Sequence, residues 1–266
     1  MNIIDEPESK LETLLRLAVT EPAHRPEFYQ VLLESSLWVL GHAEENTDGE
    51  QHLQPGSAIT IQHWETPSHQ TTIPVFTSLD VMQQSIDEDE TYIQLAARDL
   101  FEMTLGEVLI LNPDADYSKE FLPDEIADLL QGQTQRSAME RVNDSASEFT
   151  LSAPEDYPDA LVDSLTTLFI KHKQIETAYL ALIRDDKEQQ EPNLIIGLQG
   201  DGDLETIIQE AGLVAMDTTT DEEFIDFIII DEQDDGISQY FLQHGKPFYE
   251  RRWGSKMNQY TEPHTT

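Results

Sequence analysis

Five oxygen-bearing side chains near the middle of the chain have the spacing of a calcium-binding loop. They fall at positions one, three, five, seven and twelve of the template, and they are Asp114, Asp116, Ser118, Glu120 and Glu125. The sixth position needs glycine for a sharp turn, but here it is Lys119, and Pro123 interrupts the loop. A turn that leads into a helix N-terminus explains the same acids, because the helix dipole favours carboxylates there. We therefore predict no metal ligand in this segment.

The histidine and cysteine content does not indicate a metal site more strongly than the calcium-loop match does. The chain has 8 histidines without HExxH spacing, and it has no cysteine, which excludes thiolate zinc sites, iron–sulfur clusters, disulfides and cysteine nucleophiles. His42 and His52 flank a predicted exposed loop, and His63 precedes Glu65 by two residues on a predicted strand. A histidine and a carboxylate on one strand face can share a metal. Packing is the other interpretation, and it is the usual role of a half-buried strand histidine.

Two strand ends are the candidate positions for a small-molecule site. Gly200, Asp201 and Gly202 lie between a predicted strand and a predicted helix, where phosphate-binding loops occur. The segment lacks the lysine of a P-loop and the third glycine of a dinucleotide motif, so a tight turn is the better interpretation. The other strand end is Asn112-Pro113, and no G-x-S-x-G nucleophile elbow is present. We predict no catalytic residue and no cofactor, although the sequence leaves enzymatic activity undecided.

The charge of the chain is its outlying property. Its 53 Asp and Glu residues against 15 Lys and Arg residues give a net charge of −38. Such a charge repels nucleic acid and anionic membrane surfaces and favours a basic protein partner or a cation. Acids also bracket a strongly apolar predicted strand, where they either form a surface for a basic partner or simply solvate the strand ends. These candidate interaction residues are Asp221, Glu222, Glu223, Asp231, Glu232, Asp234 and Asp235.

The scarce positive charges are concentrated towards the end of the chain. They are Lys246, Arg251, Arg252 and Lys256. They either pair with the acidic surface of the same molecule or bind an anionic partner, and the sequence does not decide between these two roles.

The first half of the chain alternates helical and strand patterns. Ser9 and Glu12 have capping-box spacing and begin a helix that Pro22 ends, and Pro26 opens a second helix. After a strand at 37–42 and a polar loop at 43–57, residues 58–65 are predicted to pair with 71–78 as a hairpin. Further helices are predicted at 79–86, at 99–104 and from Pro123, and further strands at 92–97 and 107–113.

The second half has a separate pattern after a polar segment. Its predicted strands are 149–154, 175–184, 192–200, 224–231 and 247–253, and its predicted helices are 158–173, 203–212 and 235–245. The second and third strands should form an antiparallel hairpin, Gly212 should close its helix, and the apolar strand at 224–231 should be central. The predicted fold class is α+β (mixed α/β), with two domains that each have a mixed or antiparallel sheet packed with helices.

Several long motifs resemble the SseB family, which is named for enhanced serine sensitivity. In the first half they are EPAHRPEFYQVLLES, IQHWE, IPVFTSL, YIQLAARDLFEMT and LNPDADYSKEFLPDEIADLL. In the second half they are YPDAL, AYLALI and HGKPFYERRWG, so the similarity extends over residues 7–253. The resemblance implies an SseB N-terminal-like domain at 1–132, a linker at 133–147, an SseB C-terminal-like domain at 148–253 and a flexible tail at 254–266. It brings no catalytic or binding residues with it.

The sequence predicts a cytoplasmic, non-enzymatic interaction or regulatory protein. The N-terminal residues are acidic where a signal peptide needs positive charge, and no apolar stretch is long enough to span a membrane. The expected partner is a protein, favoured to be basic, with no direct nucleic-acid or membrane binding. Two alternatives remain open, namely a small-molecule sensor or enzyme with a site at strand ends between the domains, and an acidic nucleic-acid mimic.

Overall fold

The chain divides into two compact units, Met1–Thr134 and Gln135–Thr266. The computed structural model describes residues 9–43, 58–66, 69–86, 90–132, 149–154, 156–185, 192–219, 225–233 and 236–251. The predicted linker at 133–147 and the predicted tail at 254–266 lie outside these residues. Each unit has one mixed sheet packed with helices, which confirms the predicted fold class.

The N-terminal unit is built from five helices and seven strands among its described residues. The helices are α1 (Lys10–Thr20), α2 (Arg25–Glu34), α3 (Leu79–Ser85), α4 (Ala97–Met103) and α5 (Pro123–Gln131), with a 3-10 turn at Pro22–His24. The strands are β1 (Ser36–Ala43), β2 (Ile59–Ile61), β3 (Trp64–Glu65), β4 (Thr71–Phe76), β5 (Tyr92–Ala96), β6 (Leu109–Leu111) and β7 (Lys119–Phe121). The predicted capping box is confirmed, because the Ser9 hydroxyl and the Glu12 side chain each bond to the other residue's backbone amide.

Strand β1 organises the first sheet. The sheet order is β2-β1-β4-β6-β7, with β5 also on β1 and β3 also on β4. Only the β4–β6 pair is parallel, and the other pairs are antiparallel. Because paired residues share a face, one face carries Val39, Ile93 and Leu109, which are all buried. Helices α2 and α4 cover this face, since Tyr29 and Phe101 both pack against Phe121, the partner of Leu109.

The opposite face of the first sheet is covered by the short helix α3. Leu40, Phe76 and the α3 residue Met82 form a buried cluster there, and Trp38 and Trp64 pack against its edge. The residue periodicity explains this arrangement, because alternate positions of β1 point to opposite faces and both sets are apolar.

Two predictions for the N-terminal unit need correction. The predicted strand 58–65 is broken at Gln62 and His63, so β2 pairs with β1, and only β3 forms the expected hairpin with β4. The strand β7 was not predicted, because Lys119 and Glu120 are polar and only Phe121 is buried. Its apolar signal is a single residue, which periodicity cannot detect.

The C-terminal unit contains the predicted β-α-β-β-α-β order, followed by a helix and a strand. The elements are β8 (Phe149–Ser152), α6 (Asp159–Lys171), β9 (Ile175–Asp185), β10 (Asn193–Gly200), α7 (Leu204–Met216), β11 (Ile225–Ile229), α8 (Ile237–His244) and β12 (Pro247–Glu250). The sheet order is β11-β10-β9-β12, and β8 also pairs with β9. The antiparallel β9–β10 hairpin is confirmed, and β10 and β11 are parallel.

Strand β9 holds two partners in tandem. Strand β12 pairs with β9 at Thr177–Tyr179, and β8 pairs with it at 182–185. On one face of the sheet, Tyr179, Ile195 and Ile230 surround Phe241 of α8, which is fully buried. Helices α6 and α7 pack against each other and contact β12 and β11, respectively.

Two predictions for the C-terminal unit are wrong. Strand β11 lies at an edge of the described sheet, not at its centre. Its apolar character arises because Ile225, Phe227 and Ile230 are buried, which a helix-covered edge strand requires as much as a central one. Helix α7 continues through Gly212 to Met216, because Val214 and Ala215 are buried and tertiary packing outweighs the low helix propensity of glycine.

None of the helices within the described ranges combines the length and apolarity that crossing a membrane would require.

Candidate functional site

The acidic residues predicted as an interaction surface flank β11 in the sequence, and we call them the acidic rim. The rim comprises Asp221, Glu222, Glu223, Asp231, Glu232, Asp234 and Asp235. Asp231 and Glu232 are described and exposed, and they follow β11 after one intervening residue, Ile230. The other five residues lie outside the described part of the chain.

Backbone contacts hold Asp231 at the carboxyl end of β11. The Ile230 amide donates to the Leu198 carbonyl at 2.8 Å, which continues the pairing with β10 beyond the strand. The Asp231 amide donates to the buried Ser238 hydroxyl of α8 at 3.2 Å, and the Asp231 carboxylate accepts from the Gln233 amide at 2.9 Å. Asp231 therefore closes its own turn, a common role of aspartate, while its carboxylate remains exposed.

Glu232 is the end of a chain of polar contacts that runs from β9 across β10 to the turn after β11. The Thr177 hydroxyl of β9 donates to Gln199 Oε1 at 3.0 Å, and Gln199 Nε2 donates to Glu232 Oε1 at 3.3 Å. Gln239 of α8 also donates to the Glu232 carbonyl at 3.2 Å. The Gln199 amide orients the carboxylate and the Gln239 amide holds the backbone of Glu232, and neither neutralises the charge.

The glycine-rich turn beside the rim has a structural explanation. A Cβ at Gly200 would lie 2.0 Å from the Gln174 carbonyl oxygen, so only glycine permits this approach of two backbone segments. Asp203 then caps α7, because its carboxylate accepts from the Thr206 amide at 3.2 Å and the Thr206 hydroxyl at 2.6 Å. These bonds from Thr206 lower the pKa of Asp203. The contacts support the interpretation of this segment as a turn and a helix cap.

The described rim carboxylates are suited to recognition of positive charge. Within the described residues, neither Asp231 nor Glu232 contacts a lysine, arginine or histidine. Ionised carboxylates that accept only neutral donors retain capacity for lysine or arginine from another molecule.

The C-terminal bases have an internal role at Arg251. Its Nε donates to the Ile175 carbonyl at 2.9 Å, and its Nη2 donates to the carbonyls of Phe169 and His172. The carbonyls of Phe169 and His172 lie at the C-terminal end of α6, where the helix dipole favours a cation. Arg251 therefore caps a helix and does not pair with a carboxylate in these contacts. Lys246 is exposed, and Arg252 and Lys256 lie outside the described residues.

The residues that match the calcium-loop template form a strand and the start of a helix instead of a metal-binding loop. Residues 119–121 form β7, and Lys119 Nζ donates to Glu125 Oε2 at 2.9 Å. The Tyr29 hydroxyl donates to the other Glu125 oxygen at 3.0 Å. The carboxylate at the twelfth template position is thus held by an internal cation. Asp114 and Asp116 are exposed, and Pro123 begins α5 as predicted.

The histidine interpretations are not supported by the geometry. His63 is exposed in the break between β2 and β3, so the predicted packing role is wrong. Glu65 instead contacts His69 Nδ1, and both side chains are largely exposed. His42 is exposed, and His52 lies outside the described residues. Nowhere in the described part of the chain do three histidine or carboxylate side chains converge as metal ligands.

A polar cluster lies at the carboxyl ends of the parallel strands β4 and β6, where the sequence pattern indicated only the Asn112-Pro113 strand end and not Thr77, Ser78 or Glu12. Asn112 follows β6 with a φ of 53°, is 3% exposed, and accepts from the Thr77 amide at 3.0 Å. Glu12 Oε1 accepts from the hydroxyls of Thr77 at 2.8 Å and Ser78 at 3.0 Å. The only sequence signals were the capping box at Glu12 and the Asn-Pro pair, which do not show that the two segments meet.

The cluster fastens α1 to the sheet. Burial raises the pKa of Glu12, but hydrogen bonds from Thr77, Ser9 and Ser78 outweigh it, so that the pKa of Glu12 is lowered. No buried side-chain nitrogen or oxygen in the described part of the chain lacks a hydrogen-bond partner. The bonds within the cluster are therefore satisfied by the unit itself.

Comparison with known proteins identifies the family. Residues 11–128 match the SseB protein N-terminal domain, and residues 144–251 match the SseB protein C-terminal domain. Protein SseB of Escherichia coli (strain K12) is 40% identical over 259 residues, which cover 97% of this chain and 98% of that protein. Protein SseB of Shigella flexneri gives the same identity and coverage. No solved structure matches the chain. The resemblance found in the sequence motifs is confirmed, and the chain belongs to the SseB family.

Proposed function

We propose that this chain is a cytoplasmic, non-enzymatic interaction or regulatory protein that binds a basic protein partner through its acidic rim. The observation that carries the proposal is the exposed pair Asp231 and Glu232, whose carboxylates accept from the Gln233 backbone amide and from Gln199 of β10, respectively. Two further bonds, to the Ser238 hydroxyl and from the Gln239 amide, attach the backbone of the pair to α8. Carboxylates held in place this way lose little conformational freedom when a partner binds.

The balance of charge supports a cationic partner. Even if every lysine and arginine paired with one carboxylate, an excess of 38 negative charges would remain. Arg251 further reduces the supply of cations, because it donates to three backbone carbonyls. The resulting field accelerates encounter with a basic protein and repels nucleic acid and anionic membranes.

Affinity capture from a lysate of the native cell tests this proposal. The tagged chain is compared at about 0.1 M and about 0.5 M salt, because a high-salt wash screens diffuse charge more than a close contact. We expect one stoichiometric partner to remain at high salt and to be identified by mass spectrometry as basic. The double variant Asp231→Asn/Glu232→Gln should reduce its retention about tenfold, which corresponds to about 1.4 kcal/mol.

The matched control is Asp99→Asn/Glu102→Gln, which removes the same charge from two exposed positions of α4. This variant should retain the partner. If both double variants retained the partner equally poorly, or if only basic proteins that high salt removes were captured, the role of the rim in binding would be contradicted. Turnover of a metabolite by the purified protein, abolished by one substitution in a defined cleft, would refute the non-enzymatic role.

A further inference from the structure

The first sheet has a partly exposed aromatic surface on the side away from α2 and α4. The register places Trp38 opposite Phe76 on β4 and Gln94 on β5, and Leu40 opposite Tyr92. Paired residues share a face, so these side chains lie together on the face that carries α3. We call the surface formed by Trp38, Trp64, Tyr92 and Gln94 the aromatic face.

Helix α3 covers only part of this face. Met82 is buried over Leu40 and Phe76, whereas Trp38 and Trp64 are half-buried and Gln94 is exposed. Tyr92 is 46% exposed and meets the Trp38 ring edge to face, with 5.5 Å between the ring centroids. Half-exposed tryptophan and tyrosine in contact are the residue types that dominate protein-binding surfaces, because they offer large, rigid contact areas.

Exposed carboxylates lie on the same sheet face or close in sequence to its residues, and the farthest, Glu120, is on the edge strand β7. Asp80 is exposed in the first turn of α3, and Glu120 of β7 is exposed on the same sheet face, opposite Ile110. Glu90, two residues before Tyr92, is exposed and accepts from Gln62 Nε2 at 2.8 Å. The described strands contribute no lysine or arginine to this face, since Lys119 shares the opposite face with Leu111 and pairs with Glu125.

We propose that the aromatic face binds an arginine-bearing segment of the basic protein partner. An arginine guanidinium stacks on tryptophan and tyrosine rings and forms bidentate bonds with carboxylates, so one side chain matches both features of this surface. A second copy of this chain is disfavoured as the occupant, because it would bring the same carboxylates and the same net charge to the contact. This inference rests on the proposed function in one respect, namely that the partner is a basic protein.

Binding of a fluorescent nona-arginine peptide, measured by anisotropy, tests the face without the native partner. Two variants alter it at exposed positions, Tyr92→Ala and Gln94→Lys. Their controls are Tyr157→Ala, a tyrosine that is 49% exposed in the C-terminal unit, and Gln30→Lys, which adds the same charge to an exposed position of α2. Far-UV circular dichroism verifies that all four variants fold.

We expect Tyr92→Ala and Gln94→Lys to weaken peptide binding about fivefold or more, an effect of the size of one cation–π contact. Each control should change peptide binding less than about twofold. Amide resonances of Tyr92 and Gln94 should also shift during the titration. Equal weakening by Gln94→Lys and Gln30→Lys would show that diffuse charge alone holds the peptide and would overturn the inference.

Two other results separate this inference from the proposed function. A concentration-dependent dimer that Tyr92→Ala dissociates would place a second copy on the aromatic face and overturn the inference, with the acidic rim unaffected. Conversely, if the captured partner is retained equally by the rim variant and the unmodified chain, the rim proposal is refuted. The peptide titration then still tests whether the aromatic face binds arginine.

Discussion

Glu12 combines two structural roles in one carboxylate. Its Oε2 accepts from the Ser9 amide at 3.1 Å and completes the cap of α1, while its Oε1 accepts from the hydroxyls of Thr77 and Ser78. In the second role Glu12 contacts Thr77 and Ser78, which are separated from it by 65 and 66 positions in the sequence. Each bond is stronger when Glu12 is ionised, because a carboxylate is the better acceptor.

Replacing Glu12 with Gln should therefore give a pH-dependent loss of stability. The pKa of Glu12 is lowered in the folded protein, so its ionisation stabilises the fold fully above the unfolded-state pKa. That contribution disappears as the pH falls through the lower pKa of the folded state. At neutral pH we expect Glu12→Gln to cost about 0.5–1.5 kcal/mol, the range of one net hydrogen bond at a half-exposed position.

Urea unfolding between neutral and acidic pH measures this difference. The stability of Glu12→Gln should approach that of the unmodified chain as the solution is acidified. Glu102→Gln, at an exposed position of α4, is the control and should show no such convergence. A difference between Glu12→Gln and the unmodified chain that is constant with pH would show that ionised Glu12 is not what fastens α1.

Individual side chains were the least predictable part of the candidate site. The acidic rim was evident from the sequence, but the contact from Thr177 of β9 through Gln199 of β10 to Glu232 depends on sheet pairing. Lys119 occupies the template position that needs glycine, which the sequence shows, yet its bond to Glu125 required the tertiary fold. Arg251 illustrates the same limit, since the Phe169 carbonyl it contacts is 82 residues away in sequence.

At the scale of elements, two glycines of the C-terminal unit have opposite roles. Gly200 ends β10 where a Cβ would meet the Gln174 carbonyl oxygen at 2.0 Å. Gly212 lies inside α7, and a Cβ there would meet no atom within 4 Å. The same substitution should therefore have opposite effects at the two positions.

We expect Gly200→Ala to destabilise the C-terminal unit by about 1–3 kcal/mol, because the backbone must shift to relieve the overlap. Gly212→Ala should stabilise it by about 0.5–1 kcal/mol, because alanine loses less backbone entropy in a helix. Thermal unfolding of the two variants beside the unmodified chain tests both signs. A stabilising Gly200→Ala would contradict the described contact between β10 and the turn before β9.

The order of elements in the C-terminal unit was predicted well, and the position of one strand was not. Alternating apolar patterns and glycine turns located β9, β10 and their hairpin, because these signals are local in sequence. The edge position of β11 was missed, since burial by α7 and α8 makes an edge strand as apolar as a central one. Strand β2 was assigned to the wrong partner because pairing with β1 or β4 satisfies the same pattern.

For the whole molecule, the dominant physical quantity is the excess of negative charge. Like charges repel more strongly in the compact state than in the expanded unfolded chain, so a net charge of −38 opposes folding. Raising the salt concentration from about 0.02 M to about 0.5 M shortens the distance over which charges repel one another. The melting temperature should therefore rise by several degrees, at about 2–4 °C for each kcal/mol of repulsion that is removed.

Differential scanning calorimetry in sodium chloride and potassium chloride measures this effect. The two salts should act equally, because the expected cause is ionic strength and not binding of one cation. An equal amount of a neutral solute is the control and should produce no comparable rise. A melting temperature that falls with salt would mean that attractive charge pairs outweigh the repulsion.

The tandem arrangement of β8 and β12 on β9 has a consequence for synthesis of the chain on the ribosome. All described strands and helices of the N-terminal unit have been made once residue 131 has emerged, so this unit can close early. The C-terminal unit cannot, because one edge of β9 at Thr177–Tyr179 has no partner until Pro247–Glu250 has been made, and the end of α6 has no cap until Arg251 has been made. A nascent chain at this stage would expose an unpaired segment of the β9 edge, the kind of surface with which chaperones and aggregating chains can pair.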